Sequence, residues 1–279
     1  MKFAVVEYKQ KIGKLFSKKI LYEELFFEDK SFYYIQVFEK DINKPLKEKE
    51  IIKLKKLLIR LDIQEIIYKG SEKISFGLKD NNIRILDCSD FFIDFTSVAC
   101  EKIIEKTELD KKQVKIFLYD PFLKYGKNLV YKLSKIASVV KIFTFKTDEA
   151  KEISKDIMNS SGACVLYTDY MEKIEDYKII ILTANTKGFF ADREISKDCI
   201  IFSKEKQRNK SRYNIIDAVD IKLPEKLKEY EKFDCSFQLI CAFLKYNFIN
   251  FRQPDIISFS GYDRIFSFNE LKGILNNNS

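Results

Sequence analysis

The chain contains no histidine and no tryptophan, and only four prolines and eight glycines in 279 residues. Without an imidazole there is no HExxH-type zinc site, no Ser-His-Asp triad and no Cys-His dyad. Any catalysis must run on Lys, Asp, Glu, Tyr, Cys or a bound cofactor. The sparse glycine and proline leave no linker standing out, and there is no internal repeat or low-complexity tract. The six cysteines (Cys88, Cys100, Cys164, Cys199, Cys235 and Cys241) form no CxxC pair, and several sit in apolar runs. They read as small buried hydrophobes, and no metal is expected. No apolar run approaches the roughly 18 to 20 residues of a membrane span. The N-terminal MKFAVVEYKQK is too short in apolar length for a signal peptide. The expectation is a cytoplasmic protein without a membrane partner.

What the chain has in excess is charge, mostly lysine. Fifty Lys and Arg face 42 Asp and Glu, for a net charge of +8, with 46% hydrophobic and 33% charged residues. That composition is an ordinary globular one, and the length suits one large or two modest domains. Only seven of the basic residues are Arg, the residue nucleic-acid readers favour for bidentate contacts. The abundance of Lys, Ile, Asn, Phe and Tyr resembles AT-rich coding, bacterial in type. The run Lys204 to Arg212, five basic residues against one acid, reads first as a solvated loop. Nucleic acid is therefore an unlikely partner.

Aromatic and β-branched runs alternate with helical patterns along the chain. Strands are predicted at Lys2 to Tyr8, Phe32 to Phe38, Glu65 to Tyr68 and Ile83 to Asp87. Between them a helix carries Ile51, Leu54, Leu57, Leu58 and Leu61, and another is predicted from about Asp90 to Glu105. The alternation is cleaner after Lys112. Val114 to Asp120 is a near-continuous apolar run, as in a parallel strand buried on both faces. Further strands follow at Val139 to Phe145, Ala163 to Asp169, Lys178 to Ala184, Cys199 to Ser203 and Ile215 to Ile221. Helices are expected at Lys127 to Ala137, Asp148 to Met158 and Asp234 to Phe248, and then a polar tail. This is an α/β chain with a doubly wound, Rossmann-like parallel sheet. The division expected is an N-terminal α/β domain over 1–110, a Rossmann-like domain over 111–222, and a C-terminal helical segment over 223–279 that returns to the cleft.

In such a domain the chemistry lies at the C-terminal ends of the strands. The first turn, Asp120 to Lys127, has Gly126 as its single glycine, while Phe122, Leu123 and Tyr125 crowd any approach to phosphates. As a dinucleotide cradle it fails. At the end of the second strand, Lys146 and Thr147 could face a 2′-phosphate, or simply open a helix. After the fourth strand, the turn holding Thr186 and Gly188 can line a nicotinamide pocket or be an ordinary loop. Gln238 lies in an apolar helix and either reaches a ligand or sits on the exposed stripe. Asp90 reads as a helix N-cap, or as a general acid or base.

Taken in order, these pieces resemble the shikimate dehydrogenase family with its quinate-using relatives. Phe145-Lys146-Thr147 is similar to that family's Asn-Arg-Thr turn. Ala184 to Phe189 is similar to its Asn-Ala-Thr-Pro-x-Gly-Met turn, and Gln238 to Phe243 fits Gln-x-x-x-Ala-Phe. Asp220 and Pro224 loosely match a strand ending in Asp with a Pro beyond it. Cys88-Ser89-Asp90 stands about where the family has Asn-Thr-Asp. The resemblance implies an N-terminal substrate domain and an NADP-binding Rossmann domain. It also implies Asp90 in proton transfer, Gln238 on substrate, Lys146 and Thr147 on the 2′-phosphate, and Thr186 and Gly188 beside the nicotinamide. The departures are equally specific. The glycine-rich turn, the Asn-Val-Thr-x-Pro-x-Lys segment and the Ser-x-Ser clamp are missing. Lys53, Lys55 and Lys56 lie near the catalytic lysine's expected distance, but in an amphipathic helix without the motif.

Two functions follow as expectations. One is a non-catalytic or repurposed Rossmann scaffold, a regulatory or assembly module that takes a small-molecule or dinucleotide ligand or none. The other is a divergent NADP-dependent oxidoreductase acting on a hydroxylated carboxylic acid. Fold alone does not choose between them.

Overall fold

The unbroken apolar run Phe3 to Val6, buried throughout, makes β1 (Lys2–Gln10) a strand whose two faces both find partners. A computed structural model of the chain describes residues 2–10, 19–39, 46–69, 83–123, 126–170, 174, 176–183, 189–190, 195–203, 213–233, 235–249, 254–261 and 264–276. Contacts divide it into two units, one formed by 1–88 with 223–252 and the other by 89–222 with 253–279. The sequence-based and packing-based divisions share the boundary at 222. The packing assigns 89–110 to the second unit.

The first unit is a five-stranded sheet in the order β2-β3-β1-β4-β5. Its strands are β1, β2 (Ile20–Phe27), β3 (Lys30–Glu39), β4 (Ile63–Lys69) and β5 (Arg84–Ile85). β1 runs parallel to β3 and β4, while β2 hairpins back antiparallel on β3. Helix α1 (Glu48–Arg60) covers one face, where Leu54, Leu57 and Leu58 pack with Ala4, Val6, Ile35 and Ile66.

The opposite face is aromatic. Phe3 stacks on Phe32 at 5.0 Å and meets Phe243 of helix α5 (Ser236–Lys245) at 5.9 Å. A 3-10 segment over Glu225–Phe233 brings Tyr230 against Phe32 and Phe243, and Phe248 stacks on Phe243 at 5.0 Å. Glu65 on β4 accepts from Lys245 at 2.6 Å and from the Tyr246 hydroxyl at 2.8 Å. The stretch 223–249 is thus held by ring packing and by polar ties, among them Glu65 and the Tyr230 hydroxyl, which donates to Phe26 O at 2.7 Å.

The second unit opens with α2 (Ser89–Thr107), whose Ala99, Cys100 and Ile103 are fully buried. Its six-stranded sheet has the order β11-β10-β9-β6-β7-β8, every pairing parallel. The strands are β6 (Lys115–Tyr119), β7 (Val139–Phe143), β8 (Cys164–Thr168), β9 (Ile179–Leu182), β10 (Ile200–Ser203) and β11 (Asn214–Ile216). Helices α3 (Gly126–Ser134) and α4 (Thr147–Ser161) follow β6 and β7. Counting from β6, this is the 3-2-1-4-5-6 order of a Rossmann domain. The doubly wound expectation holds.

Ile215 to Ile221, read from sequence as one strand, is two. β11 stays in the parallel sheet, and the Asp217 amide donates to Ser260 O at 3.0 Å where the chain leaves it. β12 (Ala218–Lys222) then joins an antiparallel sheet with β13 (Asp255–Gly261) and β14 (Arg264–Phe266). Residues beyond 222 therefore carry strands as well as helices. The polar end is not a tail as far as Asn276, because α6 (Phe268–Asn276) buries Leu271 and Leu275.

Candidate functional site

Reversal of strand order between β6 and β9 puts the crevice of this domain at the ends of those two strands. β6 runs into Asp120, which is buried and holds φ at +50°. A non-glycine residue adopts that left-handed region at a cost, and aspartate is among the few that tolerate it. The Asp120 amide donates to Phe143 O at 2.8 Å, and its carboxylate accepts from Thr144 Oγ1 at 3.0 Å. Thr144 itself accepts from the Lys146 amide at 3.1 Å. A short relay thus links the ends of β6 and β7 to the entrance of α4.

This turn differs chemically from a pyrophosphate cradle. Such a cradle offers backbone N–H groups on glycines at a helix start. Here a carboxylate stands at the strand end, and a 3-10 turn over Pro121–Leu123 follows with Pro121 and Phe122 buried. A phosphate brought close to Asp120 would meet like charge in a poorly solvated place.

On the other side the ends of β6 and β9 are tied together. Thr183 donates from its hydroxyl to Tyr119 O at 2.5 Å, and its amide donates to the same oxygen at 3.3 Å. Tyr119 stacks on Phe143 at 5.0 Å and meets Phe189 edge-on at 5.3 Å. Phe117, Leu182, Phe189 and Phe190 extend this into a buried cluster on one face of the sheet. Among the described residues no helix lies between β8 and β12, and the aromatic cluster packs on that face.

The residues singled out from sequence fall as follows. Gly126 is the first residue of α3. Lys146 occupies the N-cap position of α4 without a side-chain cap bond, and Thr147 is the first helical residue. The Lys146 ammonium lies 3.2 Å from Glu149 Oε1, both about half exposed, so the pair contributes little. Asp148 and Glu149 already supply negative charge to this helix start. Thr186 and Gly188 lie outside the described residues. Asp90 is the second residue of α2 in the second unit, and Gln238 is exposed on α5 in the first. Lys146 and Thr147 thus come together with Asp120 and Thr144 at one corner. Asp120, Thr144 and Thr183 were not singled out from sequence. Their signal was an acid followed by proline at a strand end, and threonine closing two further strands.

Among the described residues no group of three or more His, Cys, Asp or Glu could hold a metal. No helix there is long and apolar enough to cross a membrane.

The architecture and this crevice define a Rossmann-type α/β protein. No protein-family model matches the chain, and no curated protein matches it in sequence. Similar solved structures include L-tryptophan dehydrogenase from Nostoc punctiforme, at 10% identity and TM-score 0.37, covering 78% of this chain and 67% of that one. Quinate dehydrogenase from Corynebacterium glutamicum in complex with NAD has 10% identity, TM-score 0.33 and 98% coverage of both chains. A shikimate 5-dehydrogenase-like protein has 15% identity and TM-score 0.25, covering 61% of this chain and 65% of that one. The chain spans about two thirds of the first and third of these. Its Rossmann character rests on the strand order, not on these likenesses.

Proposed function

We propose that this chain is a repurposed Rossmann scaffold that acts as a regulatory or assembly module without hydride transfer. The observation that carries the reading is the Asp120 carboxylate, held by Thr144 where a dinucleotide's phosphates would need backbone amides. The buried Phe122 beside it and the Thr183–Tyr119 tie act in the same direction. The test is a thermal shift with NAD, NADH, NADP and NADPH, each at about a hundredfold over a micromolar dissociation constant. Specific binding would add roughly 2.7 kcal/mol, several degrees for a chain of this size. No shift is expected, and a clear shift with any of the four would overturn the reading.

The second reading is an NADP-dependent oxidoreductase acting on a hydroxylated acid, with Asp90 in proton transfer and Gln238 on substrate. Lys146 favours it, as a cation beyond β7 where a 2′-phosphate would lie. It requires stabilisation by NADP and NADPH alone, lost in Lys146→Ala.

A further inference from the structure

The first unit contains a cavity of about 640 Å³ between the start of β2 and one stripe of α1, a size typical of small-molecule sites. Glu50, Lys53, Leu57 and Arg60 follow one another at helical spacing along that stripe. Lys56 also lines the cavity from α1, and Lys19 and Tyr22 line it from the strand side.

The floor is a buried charge. Glu50 is 1% exposed, and an isolated buried carboxylate would be costly. Lys19 reaches Glu50 Oε1 at 3.3 Å, and Lys53 stands 3.6 Å from Oε2. Oε2 receives no hydrogen bond among the described residues. A strong acceptor is therefore left in the wall of the cavity, and a hydroxyl or amine donor on a ligand would complete it.

The rim carries more positive charge than the fold needs. One or two lysines would balance Glu50, yet among the described residues four cations line this cavity against one carboxylate. Lys53, Lys56 and Arg60 share a helix face at spacings of three and four, where like charges repel. Among the described residues neither Lys56 nor Arg60 has a carboxylate partner. Arg60 instead donates to the Tyr22 hydroxyl at 3.2 Å, with its guanidinium 5.7 Å from the ring centre. That contact fixes the fork at the mouth of the cavity. Lys53 and Arg60 are separated by roughly 10 Å along the axis at 1.5 Å per residue. Two phosphate groups spread over that distance would meet charge-assisted donors at each end.

The geometry points to a binding site for a small organic molecule that carries two phosphate groups and at least one hydroxyl. Surplus charge sets the phosphates, the unfilled Glu50 oxygen sets the hydroxyl, and the volume sets the size. A sugar bisphosphate, whose phosphates stand apart, can meet both ends, whereas a nucleoside diphosphate, whose phosphates are joined, meets one end and offers its base to the other wall. Tyr22, half exposed on the edge strand, separates them, because only a nucleotide base would use its ring. The site lies within the first unit and is independent of how the Rossmann crevice functions.

Isothermal titration of the intact chain with fructose 1,6-bisphosphate, ADP and inorganic phosphate tests it. The expected result is a saturable one-to-one complex with at least one organic probe, tenfold or more tighter than inorganic phosphate. Lys56→Ala with Arg60→Ala should weaken that complex at least tenfold without moving the melting temperature, since both side chains are exposed. Fructose bisphosphate binding that survives Tyr22→Leu would assign a sugar ligand, and ADP binding lost in that variant a nucleotide. If neither organic probe binds more tightly than inorganic phosphate, or if the double variant binds as well as the parent, the inference is overturned.

Discussion

The Thr144 hydroxyl donates to the Asp120 carboxylate at 3.0 Å, fastening the end of β7 to the end of β6 at the mouth of the Rossmann crevice. Asp120 is buried there at φ +50°, so it meets a backbone requirement and a hydrogen-bonding one together. Asp120→Ala should lose about 1–3 kcal/mol, because alanine brings strain and leaves the Thr144 O–H without its acceptor. Asp120→Asn, which tolerates left-handed φ and keeps an acceptor oxygen, should lose less than about 1 kcal/mol. Urea titration of both variants checks this. Equal losses would mean that the pair is not what holds the turn.

Phe243 is fully buried and within about 6 Å, centre to centre, of Phe3, Phe27, Phe32, Tyr230 and Phe248. Truncation to alanine should cost about 3–5 kcal/mol. Because these rings hold the 223–249 stretch to the first sheet, limited proteolysis should cut that stretch first in Phe243→Ala. An unchanged digestion pattern would argue that the polar ties through Glu65, Glu28 and Phe26 O suffice.

Two glycines should respond in opposite directions. A Cβ on Gly261 would lie 1.7 Å from Ile215 O, a backbone atom that cannot swing aside. Gly261→Ala should therefore cost more than about 3 kcal/mol or prevent folding. Gly273 lies in α6 with nothing within 4 Å of such a carbon, and Gly273→Ala should stabilise by roughly 0.5–1 kcal/mol. Thermal melts of the two variants give the comparison.

Ser267 and Glu270 form a reciprocal cap on α6. The Ser267 amide and hydroxyl donate to Glu270 Oε2 at 2.8 and 3.0 Å, and the Glu270 amide donates back to Ser267 Oγ at 3.3 Å. The backbone bond from Ser267 holds the Glu270 carboxyl below its ordinary 4.5, the hydroxyl bond adds to it, and Arg264 contributes least. A lowered folded-state value means that the contribution is complete above the ordinary value. It is lost as pH falls through the lowered one. Ser267→Ala should cost about 1 kcal/mol at neutral pH. Glu270→Gln should flatten the acid limb of a stability-against-pH curve below pH 4.5. An identical acid limb in that variant would remove Glu270 from the cap.

The parallel strands were legible because a strand buried on both faces must be apolar throughout, as Ile116 to Leu118 and Ile179 to Leu182 are. The doubly wound class followed from the alternation of those runs with helices, whereas the strand order came from the pairing itself. The edge strand β2 was not read, because its exposed Tyr22 to Glu24 break the apolar signal. The break at Asp217 was hidden for a different reason. An uninterrupted β-forming run does not reveal that its two halves pair with different sheets. The Ser-x-x-Glu pattern at Ser267 marks a helix start, but the polar end beyond it made the stretch read as a tail and α6 was missed. In the crevice, sequence showed the missing glycines but not what replaced them, because the Asp120–Thr144 bond joins residues 24 positions apart.

The first unit is completed by residues 223–252, and the second by residues after 252. Neither body is therefore a continuous stretch of chain. On a ribosome adding about 5–20 residues per second, the sheet face around Phe3 and Phe32 waits roughly 10–40 s for the aromatic segment that covers it. A gene truncated between the codons for 222 and 252 would leave both bodies unfinished. Isolating either one calls for a rewired chain, with its two stretches joined directly, rather than for a simple cut.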